Sequence, residues 1–199
     1  MMTMQPVLHQ LLQANGRKKI FQSDEVILEY GATIRHVPIL ISGTVKVLRN
    51  DEDGREILLY YIMPGESCIM SFLAGTCNGT SQVKAVAEER SELLMLPIDK
   101  AMAWTREFAD WNQFVFQLYQ QRFEELLDVI NAIAFKKMDE RLLDYLHKKA
   151  RVLQSNELFI THEQIANDLG TARVVVSRLL KQLEQEKGIK MGRNKIQLL

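Results

Sequence analysis

The sequence predicts an α+β protein in three parts: an N-terminal antiparallel β-sandwich or roll, one long helix, and a C-terminal group of short helices with a small hairpin. Three observations support this prediction. From residue 19 to residue 97, short β-branched and aromatic runs alternate with turn residues. From residue 104, apolar side chains recur every three or four positions, and beyond residue 138 two short amphipathic segments flank a glycine. The predicted parts are residues 1–103, 104–137 and 138–199.

Composition and charge restrict the class of protein. Of the 199 residues, 47% are hydrophobic and 25% are charged, so the chain can bury a core, and disordered or collagen-like structure is excluded. The formal net charge of zero hides a division, because residues 138–199 carry 11 Lys and Arg against 8 Asp and Glu. The first 137 residues carry 14 against 17, so the basic part of the chain is its C-terminal part.

Targeting and redox signals are sparse. The chain shows no secretory leader, and its longest apolar runs fall far short of the roughly 20 residues that a membrane span needs. Its two cysteines, Cys68 and Cys77, fit a reducing compartment better than a disulfide scaffold. We therefore expect a cytoplasmic protein with no membrane partner.

Turn residues separate the strands of the predicted roll. An amphipathic helix over residues 5–15, ended by Gly16, precedes the roll. The clearest hairpin joins residues 44–48 to residues 57–60 through Asp53–Gly54, because an Asp-Gly pair readily adopts the positive φ angles of a tight turn. Several short strands at this spacing are typical of an antiparallel roll.

A heptad pattern marks the long helix. No Gly or Pro lies between Trp104 and Gly170, and a helix of about 30 residues is about 45 Å long, more than a small roll needs to cover one face. The regular spacing predicts that the apolar stripe meets the same stripe of a second copy; the alternative is that it packs only on the roll. The predicted dimer-interface residues are Phe116, Tyr119, Phe123, Leu126, Ile130 and Ile133.

Two short helices follow a predicted helix over residues 140–153 that Asp139 can cap. Thr161 can cap the first of them, with Gln164 completing a capping box, and Gly170 permits a sharp turn into a helix over residues 172–187. The predicted buried positions are Ile165, Ala166, Leu169, Val176, Leu179, Leu180 and Leu183. The predicted exposed positions of the second helix are Arg173, Val174, Ser177, Arg178 and Lys181.

Such a helix pair fits the major groove of DNA. The second helix opens with exposed Arg and Ser, and the guanidinium fork matches the O6 and N7 acceptors of guanine. A basic hairpin with Arg193 and Lys195 follows, which favours a DNA-binding role further. The alternative is a plain helical hairpin whose charged face is solvated.

This order of parts resembles the CRP/FNR superfamily of bacterial transcription regulators, over nearly the whole chain. The matching stretches are Ser42–Val47, Asp53–Glu56, Pro64–Glu66 and Thr161–Leu183. The resemblance implies a cyclic-nucleotide-binding-like jelly roll, a long dimerisation helix and a winged helix-turn-helix. It also implies a homodimer that binds double-stranded DNA at a pseudo-palindromic operator and meets RNA polymerase.

Carried over by position, Arg173, Ser177 and Arg178 fall where family members contact base edges or phosphates. Val174 departs from the family, because its slot usually holds a Glu that reads cytosine; an apolar side chain there prefers a thymine methyl group or reads the position loosely. Thr161 and His162 are expected at backbone phosphates. The full candidate DNA-binding set is Thr161, His162, Arg173, Val174, Ser177, Arg178, Lys181, Arg193 and Lys195.

The implied effector pocket departs further from the family. The Gly-Glu pair that holds the ribose of a cyclic nucleotide falls on Ile69 and Met70, and the Arg-Ser pair that holds the phosphate falls on Thr80 and Ser81. Thr cannot replace a bidentate guanidinium, so the expected effector is something other than cyclic AMP, or none. Arg90 or Lys84 could substitute for the missing cation, which leaves a non-standard cyclic-nucleotide pocket as an alternative. The candidate pocket residues are Gly65, Glu66, Cys68, Ile69, Met70, Thr80 and Ser81.

Two further alternatives concern the same region. Cys68 and Cys77 could sense oxidants or a metal, or could be small buried hydrophobic residues. The pocket could hold a lipid-like or haem-like molecule, or be filled by its own side chains. No particular cofactor is predicted, and an unknown small-molecule effector is possible.

Other functional classes fit the sequence less well. The four histidines are scattered, and the predicted roll contains only His36, so neither a metal site nor a catalytic cluster is expected. A third class is an interaction dimer whose helix-turn-helix no longer binds DNA.

Overall fold

The computed structural model describes residues 6–50, 56–76, 79–135, 137–186, 188–192 and 194–199. The chain forms two compact units, one of residues 1–50 and 59–126 and one of residues 51–58 and 127–199. The helices are α1 (Pro6–Asn15), α2 (Ile69–Thr76), α3 (Ile98–Glu107), α4 (Ala109–Phe135), α5 (Met138–Val152), α6 (His162–Leu169) and α7 (Arg173–Gln185). The strands are β1 (Arg17–Phe21), β2 (Val26–Leu28), β3 (His36–Ser42), β4 (Val45–Asn50), β5 (Glu56–Ile62), β6 (Lys84–Ala87), β7 (Ser91–Pro97), β8 (Glu157–Leu158), β9 (Ile189–Gly192) and β10 (Lys195–Leu198).

Two sheets build the N-terminal roll. One has the strand order β1-β7-β3, and the other has the order β2-β6-β4-β5. The strands β1, β3 and β7 pair antiparallel, with Ile39 opposite Leu94, and β4 pairs antiparallel with β6, with Val47 opposite Ala85. The predicted antiparallel roll is confirmed. The predicted turn at Asp53–Gly54, between the neighbouring strands β4 and β5, lies outside the described residues.

A glycine is required in the turn between β3 and β4. Gly43 has a φ of +89°, and a Cβ there would lie 2.4 Å from Ser91 Oγ. The Ser91 hydroxyl cannot easily move away, because it donates to the Thr44 carbonyl at 3.1 Å and accepts from the Thr44 N–H at 3.2 Å. The requirement for glycine at position 43 therefore has both a conformational and a steric cause.

The long helix begins later than the sequence predicts. The prediction placed its start at residue 104, whereas residues 104–107 end α3 and Phe108 adopts an extended conformation, with φ −126° and ψ 111°. Side chains stabilise this break. Trp111 Nε1 donates to the Ala101 carbonyl at 2.9 Å, and Asn112 Nδ2 donates to the Thr105 carbonyl at 2.7 Å, so carbonyls near the end of α3 gain partners.

One face of α4 packs on the roll. Trp111, Phe114 and Leu118 are buried in a cluster with residues of β3, β7 and α2. Trp111 makes edge contacts with Phe72 and Trp104, and it stacks on Phe114. These contacts fix the rotation of α4 about its axis, and so decide which side chains remain uncovered.

The second unit contains three helices and a small sheet. Its helices α5, α6 and α7 share one buried core with the sheet, whose strand order is β8-β10-β9. This is the winged helix-turn-helix that the sequence predicts. One detail differs: α5 begins at Met138 after Lys137, and Asp139 lies in its first turn instead of capping it. A carboxylate there still interacts favourably with the helix dipole.

Candidate nucleic-acid interface and effector region

A capping box starts the first helix of the helix-turn-helix. The Thr161 hydroxyl accepts from the Gln164 N–H at 3.1 Å, and Gln164 Oε1 accepts from the Thr161 N–H at 2.8 Å. The Thr161 hydroxyl also donates to Gln164 Oε1 at 3.0 Å, so its hydrogen is already in use. Gly170 ends α6 in the left-handed conformation, with φ 64° and ψ 42°. The predicted cap and the predicted glycine turn are both confirmed.

The second helix of the helix-turn-helix, α7, has one buried face and one exposed face. The positions predicted to be buried in α6 and α7 are buried. On the opposite face, Arg173, Val174, Arg178 and Lys181 are exposed, and Val174 is 78% exposed although it is apolar. A large apolar side chain that solvent reaches this freely contributes little to the fold and is available to a ligand.

The cationic side chains on the exposed face of α7 form at most weak ion pairs within the described structure. Arg173 Nε lies 4.0 Å from Glu163 Oε2, and both side chains are more than 60% exposed, so this pair contributes little. Within the described part of the chain, Arg178 and Lys181 form no ion pair. Lys195 differs, because its Nζ lies 2.7 Å from Glu157 Oε1 and above the Phe159 ring. Arg193 lies outside the described residues.

One contact between the two helices is not predicted from the sequence. His162 Nδ1 lies 2.9 Å from Ser177 Oγ, and both side chains are half-buried. From the sequence, these two residues are predicted to be separate DNA contacts, one to phosphate and one in the major groove. The structure joins them in a hydrogen bond.

The predicted pocket residues lie in different surroundings within the described structure. Cys68 is buried in the roll core, and Ile69 is buried in a different cluster, with residues of α4. Thr80 is exposed, whereas Ser81 is buried and donates its hydroxyl to the Val83 carbonyl at 2.7 Å. Met70 packs against both clusters. Gly65, with a φ of +89°, forms the turn before Glu66.

A buried arginine on α4 organises this region, and the sequence analysis missed it. Arg122 is 2% exposed and forms ion pairs with Glu66 and, at 2.6 Å, with Glu125. It also donates to the Tyr61 carbonyl at 3.1 Å, and its guanidinium lies 4.5 Å from the centre of the Tyr60 ring. Its Nε atom is buried without a hydrogen-bond partner among the described residues.

Gln121 and Cys68 extend the cluster. The Gln121 amide donates to Glu66 Oε1 at 2.8 Å, so Glu66 is held by two neighbouring residues of α4. The Tyr60 hydroxyl lies 4.0 Å from Cys68 Sγ. A sequence signal for Arg122 existed, because it continues the buried spacing of Trp111, Val115 and Leu118, where an apolar residue is expected.

Burial and charge both act on the ionisation of this cluster. Burial lowers the pKa of Arg122, but attraction to Glu66 and Glu125 outweighs burial and raises its pKa overall. Burial, and then the Cys68 thiol, raises the pKa of Tyr60 well above its ordinary value. Arg122 is therefore a cation and Tyr60 a neutral phenol around neutral pH.

The predicted dimer stripe is largely uncovered. Phe116 is 73% exposed, Phe123 62% and Ile130 58%, and Leu126 is also exposed. Tyr119 is the exception, because it is partly buried against the core between α4 and the roll. The side chain of Ile133 lies outside the described residues.

The described residues contain neither a group of metal ligands nor a membrane-spanning helix. Among the described residues, no three His, Cys, Asp or Glu side chains come together in a way that could hold a metal ion. No described helix is both long enough and apolar enough to cross a membrane.

Two protein families match the two parts of the chain. The Cyclic nucleotide-binding domain matches residues 18–106, and the Crp-like helix-turn-helix domain matches residues 140–199. The chain belongs to the CRP/FNR superfamily. It is a transcriptional regulator of this superfamily and not an enzyme.

Relatives of this CRP/FNR protein are distant but cover most of its length. It is 27% identical to the Global nitrogen regulator of Nostoc sp. strain PCC 7120, over 88% of this chain and 82% of the relative. It is 25% identical to the Cyclic AMP receptor protein of Thermus thermophilus, over 88% and 81%. A crp/fnr-family structure from Eubacterium rectale superposes with a TM-score of 0.85 at 25% identity, covering 98% of this chain and 90% of that one.

Proposed function

We propose that this CRP/FNR protein is a homodimer that binds specific double-stranded DNA sequences through α7 and acts in the cytoplasm, where bacterial DNA is found. The observation that carries the proposal is the exposed face of α7. Its cations are free of strong ion pairs in the described structure, while its opposite face is buried in the core of the unit. A helix that presents guanidinium groups with at most weak ion pairs suits the guanine edges and phosphates of a major groove.

The identity of the bases follows in part from Val174. An exposed apolar side chain at the front of α7 makes its best contact with the methyl group of thymine. We therefore propose that the operator differs from those of family members with a Glu in this slot. His162 is proposed to contact a phosphate through its ring. Thr161 is proposed to lie beside the same phosphate and to hold the start of α6 in place, because its hydroxyl and its N–H both belong to the capping box.

The exposed stripe on α4 supports the homodimer. Aromatic and aliphatic side chains at heptad spacing are costly to leave in water, and a second copy of the same stripe would cover them. To read two successive major grooves on one face of DNA, the two copies of α7 in a two-fold dimer need to lie about 34 Å apart. A pseudo-palindromic operator follows from that symmetry. We also propose that the DNA-bound homodimer contacts RNA polymerase.

The roll is proposed to respond to an effector other than cyclic AMP, or to none. A cyclic nucleotide needs a cation for its phosphate, and the positions expected to supply one hold an exposed Thr80 and a Ser81 whose hydroxyl is already bonded. The nearby guanidinium of Arg122 lies between two carboxylates, which would repel a phosphate. Cys68 is fully buried, which favours a packing role over an oxidant-sensing role.

Charge reversal at α7 tests DNA binding. Duplexes that bind the wild-type protein are first selected from a random library. The double substitution Arg173→Glu and Arg178→Glu should then lower their affinity by at least about 30-fold, because each base contact is worth about 1–3 kcal/mol. Arg106→Glu, at an exposed position of α3, is the matched control and should bind as the wild type does. Equal binding by the double variant would show that α7 does not read DNA.

Salt dependence separates direct from indirect binding. If six phosphates are contacted, affinity should fall by about 10³-fold between 50 and 200 mM salt. A flat response would contradict direct contact with the phosphate backbone.

A further inference from the structure

The hydrogen bond between His162 and Ser177 connects two different kinds of DNA contact. His162 is the first residue of α6, which is proposed to meet a phosphate, and Ser177 lies on α7, which is proposed to meet the bases. The atoms Nδ1 and Oγ are 2.9 Å apart. The inference that follows rests on the proposed function, because it concerns how α7 reads DNA.

The direction of the hydrogen bond between His162 and Ser177 depends on the direction of the bond that His162 makes to a phosphate. A neutral imidazole carries one N–H, and a phosphate oxygen can only accept. If the free Nε2 of His162 donates to a phosphate, Nδ1 has no hydrogen and must accept from Ser177. A serine hydroxyl has one hydrogen, so Ser177 then presents only its oxygen lone pairs to DNA.

We propose that His162 makes Ser177 a hydrogen-bond acceptor, so that this serine selects a base with an exocyclic amino group. In the major groove these groups are N6 of adenine and N4 of cytosine, whereas guanine and thymine present acceptors at the corresponding position. A serine alone can bind either kind of base, because its hydroxyl rotates. His162 is therefore a positioning residue that acts through Ser177.

In the described structure, no neighbouring side chain changes the direction of the hydrogen bond between Ser177 and His162. The neighbouring Thr161 hydroxyl donates its hydrogen to Gln164 and does not compete for Ser177. In the described structure, His162 and Ser177 form no other side-chain hydrogen bond than the one that joins them. The direction of that bond therefore depends on the proton of the imidazole ring.

The experiment first finds the base pair that Ser177 faces. Random duplexes are selected at pH 8.5, where free imidazoles are neutral, with the wild-type protein and with Ser177→Ala. The pair whose preference disappears in Ser177→Ala should present adenine or cytosine to the protein. Purine in place of that adenine, or pyrimidin-2-one in place of that cytosine, removes only the amino group. This should weaken wild-type binding about three- to tenfold and leave Ser177→Ala unaffected.

Two variants of His162 then test the positioning role. Asn at position 162 can place an acceptor near the site of Nδ1, so His162→Asn should keep the preference for the amino group. His162→Ala removes the acceptor and should admit guanine or thymine at the same pair. Glu163→Ala, at the next and exposed position of α6, is the matched control and should change affinity without changing this preference.

The possible outcomes are distinct. A wild-type preference for guanine or thymine opposite Ser177 would overturn the inference, and so would an unchanged preference in His162→Ala. A uniform loss of affinity in Ser177→Ala, with no preference lost, would assign the serine to a phosphate and also overturn it. If the wild-type protein selects no sequence at all, the proposed function itself fails.

Discussion

Arg122 of the first unit and the arginines of α7 in the second unit occupy opposite environments. Arg122 in the first unit is 2% exposed and is held by two carboxylates, a carbonyl and an aromatic ring. Arg173 and Arg178 in the second unit are exposed, and only Arg173 lies near a carboxylate in the described structure, at 4.0 Å. Sequence composition counts these residues alike. Their surroundings give the first a role in the fold and leave the other two available to bind DNA.

The comparison shows what makes a cation available to a ligand. A buried guanidinium loses its hydration, and only fixed partners can compensate for that loss. Once those partners are carboxylates, an anionic ligand would have to displace them. A guanidinium on an exposed helix face keeps its water and can exchange it for a phosphate or a base edge. Arg122 of α4 therefore serves in packing, whereas Arg173 and Arg178 of the helix-turn-helix stay exposed.

The largest expected effect comes from breaking the buried cluster. Arg122→Met should lower the free energy of unfolding by about 3–5 kcal/mol, because it leaves the buried Glu66 without its cation. Chemical denaturation measures this loss. Arg106→Met, at an exposed arginine of α3, should change stability by less than about 0.5 kcal/mol. Adding Glu66→Gln to Arg122→Met should recover part of the loss. A stability equal to that of the wild type would mean that Arg122 is not structurally important.

The next effect concerns the uncovered face of α4. Phe123→Asp together with Ile130→Asp should weaken the proposed dimer by at least about 100-fold, or roughly 3 kcal/mol, because the stripe would bury unpaired charges. Sedimentation equilibrium measures the association. Gln117→Asp places the same charge on an exposed position of α4 outside the stripe and should leave the dimer intact. An intact dimer in the double variant would show that the stripe is not the interface.

The smallest expected effect concerns the start of α6. Thr161→Ala should cost about 1 kcal/mol of stability, because it removes the side chain that caps the Gln164 N–H. Thr161→Ser retains the hydroxyl and should remain close to the wild type in the same urea titration. Equal stabilities of the Ala and Ser variants would mean that the capping box adds nothing to the fold.

The helix-turn-helix could be predicted almost residue by residue because its signals are local. The capping residues are three positions apart, and the left-handed turn needs only Gly170. The buried spacing of α7 repeats within a few turns. The roll and the apolar stripe of α4 were likewise predicted from periodicity. The division of the chain into three functional parts, residues 1–103, 104–137 and 138–199, stays a prediction.

The features that the sequence analysis missed depend on contacts between distant residues. The ion pair of Arg122 joins positions 56 residues apart, and the hydrogen bond of Ser177 reaches 15 residues back to His162. The helix break at Phe108 has no Gly or Pro to signal it, because it depends on how Trp111 packs against α3. Local propensity contains no information about such partners, so tertiary packing decides them.

The break at Phe108 also determines which residues set the direction that each face of α4 takes. In a continuous helix, each added residue turns everything beyond it by about 100°. Because Phe108 is extended, α4 takes its phase from the packing of Trp111 and not from a helix continuous with α3. A residue inserted beside Phe108 would therefore leave the direction of the exposed stripe unchanged. The same insertion just after Leu118 would rotate Phe123 and Ile130 away from Phe116 and divide the stripe between two sides of the helix.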